Sequence, residues 1–150
     1  MTHSDPILEK IGKLFSVTPL AVLATDHGGT PYTSLVAFIA SENLREILFA
    51  TSRDTRKYRY LQENKRVALL VDNRSHAATD FRAAIAVTIL GCATELAGAE
   101  RDNSLALYVG KMPQLAEFVH FPSTALFSVA VSSYSLVEEF EKVSEFRFDG

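Results

Sequence analysis

The stretch LAVLATDHGGTPYTSLVAFIA, residues 20–40, decides the fold. Two apolar runs, 20–25 and 32–40, flank Asp26-His27-Gly28-Gly29-Thr30-Pro31, a polar turn with two adjacent glycines. Loops this short join antiparallel neighbours, so the stretch is predicted to be a β-hairpin. Before it, Ile7, Leu8, Ile11, Leu14 and Phe15 recur at helical spacing. Residues 5–16 therefore read as an amphipathic helix, with Asp5 as cap and Pro6 in the first turn. After the hairpin, 41–45 is a polar turn and 47–51 a third strand. A helix is predicted over 54–65 with Asp54 as its cap. A fourth strand follows over 67–72, then a polar loop over 73–82. A long fifth strand, 83–96, is expected to bend at Gly91. Residues 99–121 read as helix in two pieces, parted near Gly110 and Pro113. A sixth strand, or two, covers 125–137 ahead of a charged end.

Strands joined by short turns and interrupted by few helices indicate a mainly β (α+β) chain. With six or more antiparallel strands, a closed barrel is the economical way to hide sheet edges. The 150 residues suit one domain over 1–150, and 47% hydrophobic residues suffice for a core without disulfides. Ten Phe and five Tyr, with no Trp, give that core an aromatic character. Fifteen Lys and Arg against eighteen Asp and Glu leave a net charge of −3, which argues against a dedicated nucleic-acid binder. The longest apolar run, 83–90, is far too short to span a bilayer. The first six residues lack a signal-peptide pattern, and the single cysteine, Cys92, has no partner for an internal disulfide. The expectation is a soluble, cytoplasmic protein.

The chemistry concentrates in ILFATSRDTRKY, residues 47–58. A strand ends in two hydroxyls, and a helix opens with adjacent cations. At about 100° per residue, Arg56, Lys57 and Tyr60 fall within one arc, while Tyr58 and Leu61 turn toward the core. Cations in a helix's first turn oppose its dipole by a few tenths to about 1 kcal/mol. A bound anion reverses that sign. Thr51, Ser52 and Thr55 hydroxyls, free backbone donors, Arg56 and Lys57 would together cradle a phosphate. The plainer reading is a solvated basic helix face whose hydroxyls serve only as caps.

Phe-x-Thr-Ser-x-x-Thr-Arg-Lys (49–57), after PYTSLV (31–36) and before NKRVALL (64–70), resembles the pyridoxamine 5′-phosphate oxidase-like family of FMN-binding split barrels. The match in order and spacing covers about 18–97, and more loosely the chain to about 140. The resemblance implies an antiparallel split β-barrel of six or more strands with peripheral helices. It also implies FMN as cofactor and a homodimer with the flavin in a cleft between two barrels. Thr51 and Ser52 would contact the phosphate or ribityl chain, Arg56 and Lys57 the phosphate, with Thr55 at the family's small hydroxyl position. The backbone of Ser34, Leu35 and Val36 would run beside the isoalloxazine ring. The namesake oxidases carry Arg where Ser34 stands and Lys at about Ile39. Their Tyr-x-x-x-Arg-x-x-x-Ser pattern reads Tyr108, Met112 and Ala116 here. These departures remove most partners of a vitamin B6 phosphate but leave FMN binding intact. The function the resemblance implies is an FMN-dependent oxidoreductase other than a pyridoxamine phosphate oxidase; the residues offer no convincing general acid or base, and Tyr32, Arg53 and His76 are weak pocket candidates. Alternatives are a flavin- or haem-binding protein or sensor without turnover, and a deazaflavin-dependent reductase.

His3, His27, His76 and His120 are scattered and form no metal-ligand set. His120 could end a helix partly buried, or ligate haem. Cys92 reads as a small buried residue without a base to ionise it. The serines between 123 and 135 show no nucleophile elbow. Glu138, Glu139, Glu141 and Glu145 read as a solvated face. Phe146-Arg147-Phe148 could pack across a dimer, cover a flavin or fray.

Overall fold

The computed structural model describes residues 5–74, 81–139 and 141–149. The first helix forms as α1 (Pro6–Val17), with the Asp5 carboxylate accepting from the Ile7 amide at 2.7 Å and Leu8, Ile11 and Leu14 buried. The hairpin forms as β1 (Leu20–His27) and β2 (Thr30–Ala40), with Val22 opposite Leu35 and His27 opposite Thr30. Its turn is tighter than the six residues expected. Gly28 and Gly29 alone make it, at φ of 58° and 87°. Two adjacent left-handed residues match the twist of the flanking strands, so pairing runs to the turn and absorbs the polar residues beside it.

β3 (Glu46–Ser52) leads to α2 (Arg56–Glu63). Here the cap is Thr55 rather than Asp54: Thr55 is extended and its Oγ1 accepts from the Tyr58 amide at 3.2 Å. Asp54 stands one residue too early, because a cap must immediately precede the first helical residue to reach the amides one turn in. The chain continues through β4 (Arg66–Asp72), β5 (Ile85–Glu95), α3 (Gly98–Lys111), a 3₁₀ turn (Pro113–Leu115), α4 (Ala116–Val119), β6 (Thr124–Glu138) and β7 (Lys142–Arg147). The long helical region is thus broken as expected.

The strand order is β3-β2-β1-β4-β5-β6-β7, and β3 also pairs with β6. The first six strands therefore close an antiparallel split barrel, with β7 added outside the closure. At the position where β5 is expected to bend, its pairing with β6 shifts register between Leu90 and Gly91, passing over Ser132 of β6, while its pairing with β4 runs on unbroken. A Cβ at Gly91 would stand 2.4 Å from the Ala130 carbonyl oxygen, so only glycine lets the two strands approach there. β7 falls on residues read as a charged end. Its own pattern is mostly exposed, and pairing with β6 holds it, while Phe146 and Phe148 pack against the barrel core. Glu139, Glu141 and Glu145 are exposed, as expected, and Glu138 pairs with Lys10 at 3.1 Å.

Alternation separates two cores. Leu23, Val36, Phe38, Ile47, Phe49 and Phe127 belong to the core inside the barrel. Ile39, Leu48, Ala50 and Leu126 lie on the opposite face, packed with Leu105, Tyr108 and Met112 of α3 and Val119 of α4. β3 is consequently buried on both faces. Among the described residues the outer face of β1, β4 and β5 has no such cover, yet it is apolar. Cross-strand register places Leu35, Val22, Leu70 and Thr88 in one row and Ala24, Ala68 and Leu90 in the next. Leu20, Leu35 and Leu90 are 50%, 64% and 47% exposed. Cys92 lies on this outer side, opposite Arg66, and is exposed rather than buried, because strand alternation puts it on the same face as Thr88 and Leu90 while Ile89 and Ala93 turn inward. Among the described residues no helix is long and apolar enough to cross a membrane.

Candidate functional site

A cleft of about 290 Å³ opens where the end of β3 meets α2. Leu35, Val36 and Ala37 of β2 form one side, and Ala50, Thr51, Ser52, Thr55 and Lys57 form the floor. Tyr108, Leu115 and Phe118 form the far wall. Six of the eight residues singled out from the sequence therefore line one cleft. Ser34 and Arg56 do not.

The split between Arg56 and Lys57 follows from helix geometry. Lys57 sits only about 40° around the helix from Leu61, which is buried, whereas Arg56 sits about 140° from it. Lys57 is drawn half into the protein at the cleft. Arg56 stays exposed, its guanidinium 5.0 Å from the centre of the Tyr32 ring, an arrangement that favours the cation. Tyr32 and Tyr60 meet edge to face at 5.8 Å, and His27 lies 5.3 Å from Tyr60. Arg56 and Tyr60 thus share a surface, as their common arc implied, and Lys57 departs from it. Burial pushes the Lys57 ammonium below the ordinary lysine range. No described carboxylate pairs with it.

The three hydroxyls differ in what they have left to offer. Thr55 Oγ1 donates to the Ser52 carbonyl at 2.9 Å and accepts from the Tyr58 amide, so capping consumes it. Ser52 Oγ accepts from the Asp54 amide at 3.2 Å and keeps its proton. Thr51 Oγ1 makes only long contacts, 3.3 Å to the Ser52 carbonyl and 3.4 Å to Thr55 Oγ1. The amides of Arg56 and Lys57 open α2 and have no carbonyl one turn earlier within it. Ser34 shares the inward face of β2 with Val36, and its buried Oγ finds no partner among the described residues.

Arg53 is committed elsewhere. Its guanidinium donates to Glu95 Oε2 and to the Pro122 carbonyl, both at 2.7 Å. Tyr58 donates to Glu95 Oε1 at 2.7 Å. Burial works against the Glu95 charge, but the hydrogen bonds from Tyr58 and Arg53 outweigh it and hold the carboxyl below its usual range. Tyr108, 1% exposed, donates to the Ala37 carbonyl at 2.8 Å, and burial pushes its phenol up to about 12. Sequence reasoning met Tyr108 only as the start of a failed motif and missed Leu115 and Phe118 entirely. The apolar spacing of 105–119 was their one signal, and it reads equally as ordinary core.

His76 and His3 lie outside the described residues. His120 is exposed, its Nδ1 against the Ala116 carbonyl, and not partly buried. A larger groove, about 1040 Å³, opens between the end of α1, the β2–β3 turn and the end of α3. Its walls are Phe15, Phe38, Ile39 and Met112, and its lysines, Lys13 and Lys111, are matched by Glu9 and Glu42. It offers an anion no net charge.

The chain is thus an antiparallel split barrel with a hydroxyl-and-cation turn at the end of its third strand. The family model for pyridoxamine 5′-phosphate oxidase matches residues 7–138, and the chain belongs to that family. No curated protein matches the sequence. Among solved structures, a heme binding protein from Mycobacterium smegmatis is similar at 16% identity and a TM-score of 0.83, over 97% of this chain and 60% of that one. This chain thus spans about three fifths of that protein's length. HutZ, the heme storage protein from Vibrio cholerae, is similar at 16% identity and a TM-score of 0.72, over 98% of this chain and 95% of that one. A FAD-binding protein from Mesorhizobium loti is similar at 15% identity and a TM-score of 0.69, over 85% and 91%. At such identities these likenesses establish the fold.

Proposed function

We propose that this protein binds FMN as a homodimer and acts as an FMN-dependent oxidoreductase other than a pyridoxamine phosphate oxidase. The observation that carries the reading is Lys57: a half-buried ammonium with no carboxylate partner among the described residues, lining a cleft beside the Ser52 hydroxyl and the first amides of α2. A phosphate dianion there offsets the desolvation of the cation and the unfavourable placement of charge at a helix start. The residues present therefore fit the cofactor's phosphate end. Thr51 and Ser52 take its oxygens, Lys57 pairs with it, and Thr55 shapes the turn. Arg56 closes over the phosphate by leaving Tyr32. The backbone of Ser34, Leu35 and Val36 faces the ring, with the exposed Leu35 side chain against it. Bound FMN supplies hydride or electron transfer.

One chain forms only part of the site. Its 290 Å³ lies at the foot of the roughly 300–1,000 Å³ range of ligand pockets. Leu35 belongs both to the cleft and to the uncovered apolar band. A second copy seated on that band completes the cleft. Oxidation of a vitamin B6 phosphate is disfavoured because Ile39 and Met112, at positions where the namesake enzymes place cations, are built into the second core.

The visible spectrum of the purified protein and a titration with FMN and riboflavin test the reading. Lys57→Ala is expected to weaken FMN by about 1.5–3 kcal/mol, as loss of a charge-assisted bond, and to leave riboflavin nearly unchanged. Equal FMN affinity in parent and variant would end the assignment. The second reading is a haem-binding protein, which the likeness to two haem-binding or haem-storing structures favours. A Soret band on adding haem, with no phosphate-dependent flavin binding, would support it instead.

A further inference from the structure

The cleft has two walls that belong to different parts of the chain. The α2 side carries Thr51, Ser52, Thr55 and Lys57, and the α4 side carries Leu115 and Phe118. The β3–β6 ladder, with Thr51 opposite Ala125 and Ser52 opposite Thr124, brings them together, and Arg53 extends the connection past the end of the strand. The Arg53 amide donates to the Ser123 carbonyl at 2.8 Å, and the Arg53 guanidinium reaches the Pro122 carbonyl at 2.7 Å. Thr124 Oγ1 in turn holds the Phe118 carbonyl at 2.8 Å. The same guanidinium is gripped from the end of β5 by Glu95, which also takes the Tyr58 hydroxyl. Glu95 is thus the anchor for two residues of the 51–58 segment at once, and one of them bridges to the opposite wall.

We infer that Glu95 is a positioning residue for the anion cradle: by holding Arg53 and Tyr58 together it sets the 51–57 turn against the α4 wall and keeps the Arg53 cation out of the cleft. This rests on the phosphate-binding reading above. The geometry is specific. A carboxylate with one oxygen on each partner fixes both their separation and their direction, and the Arg53–Glu95 pair is only partly exposed, at 36% and 26%. The carboxyl's resistance to protonation, from the two bonds it accepts, keeps the brace intact into mildly acidic solution.

Glu95→Gln keeps the size of the side chain and removes its charge. Its expected effect is a rise of about tenfold in the FMN dissociation constant, the scale of coupling within one hydrogen-bonded network, with riboflavin affinity changed by less than about twofold. Tyr58→Phe, which removes one bond and no charge, should give a smaller rise of the same kind. Arg53→Gln combined with Glu95→Gln should be no worse than either alone. Far-UV circular dichroism and melting curves identify any variant that fails to fold, in which case Tyr58→Phe carries the test. A simply structural role would lower both flavins' affinities together, and that result, or unchanged or tighter FMN binding in Glu95→Gln, overturns the inference. Phosphate-dependent FMN binding in the parent with an indifferent Glu95→Gln removes this inference alone. Absence of FMN binding in the parent removes the site reading with it.

Discussion

Lys57 and Arg56 are neighbours in sequence and opposites in environment. One is half-buried without a counterion among the described residues, the other exposed on an aromatic ring. Because burial lowers the Lys57 pKa, the free protein loses that charge at a lower pH than an ordinary lysine near 10.5. A bound phosphate favours the charged form and draws the pKa back up. The sign follows: FMN binding takes up a proton at pH values between the free and the bound Lys57 pKa, and affinity falls as pH rises through the free protein's Lys57 pKa. Titration calorimetry in buffers of different ionisation enthalpy, from neutral to alkaline pH, should show that uptake. Lys57→Arg should abolish it, because a guanidinium does not titrate there. Riboflavin serves as the control for titration of the ring itself.

At the scale of elements, α2 shows how a cap is chosen. Two candidates stand side by side, Asp54 and Thr55, and both residue types cap well. The backbone decides: Thr55 is the last extended residue before the helix and its Oγ1 meets the Tyr58 amide. Thr55→Ala is expected to cost about 1 kcal/mol of stability, while Asp54→Ala costs little, as urea unfolding of each variant would measure. β5 was legible for a different reason. A glycine within a long apolar run marks a break, and Gly91 breaks the register. β7 was not legible, since charged and exposed residues dominate it and the alternation that turns Ser144 and Phe146 inward is only a few residues long; pairing along the free side of β6 makes it a strand.

At the scale of the whole molecule, the outer face of the barrel is the feature that asks for a partner. Strands apolar on both faces are normally covered on both. Here the second core covers β3, while no described residue packs over the row Leu35, Val22, Leu70 as that core does over β3. Leu70 does not line the cleft. Leu70→Glu is therefore expected to shift a homodimer toward monomer in sedimentation equilibrium and, through loss of the second copy, to raise the FMN dissociation constant by about tenfold or more, as an unpaired charge at an interface core costs several kcal/mol. A monomeric variant with parental FMN affinity would show that one chain suffices.

The sequence by itself determined the hairpin, the order of the first six strands and the helices among them, the register break at Gly91 and the hydroxyl-and-cation turn. These are local matters of periodicity, turn chemistry and spacing, each written within a dozen residues. Which cation faces the cleft, which hydroxyl keeps its proton, and that Arg53 serves a brace were decided only in the tertiary structure. So were the far wall of Tyr108, Leu115 and Phe118 and the outward turn of Cys92. Each depends on what a side chain meets across the barrel, and that depends on register and closure between segments up to about a hundred residues apart, which no local pattern encodes.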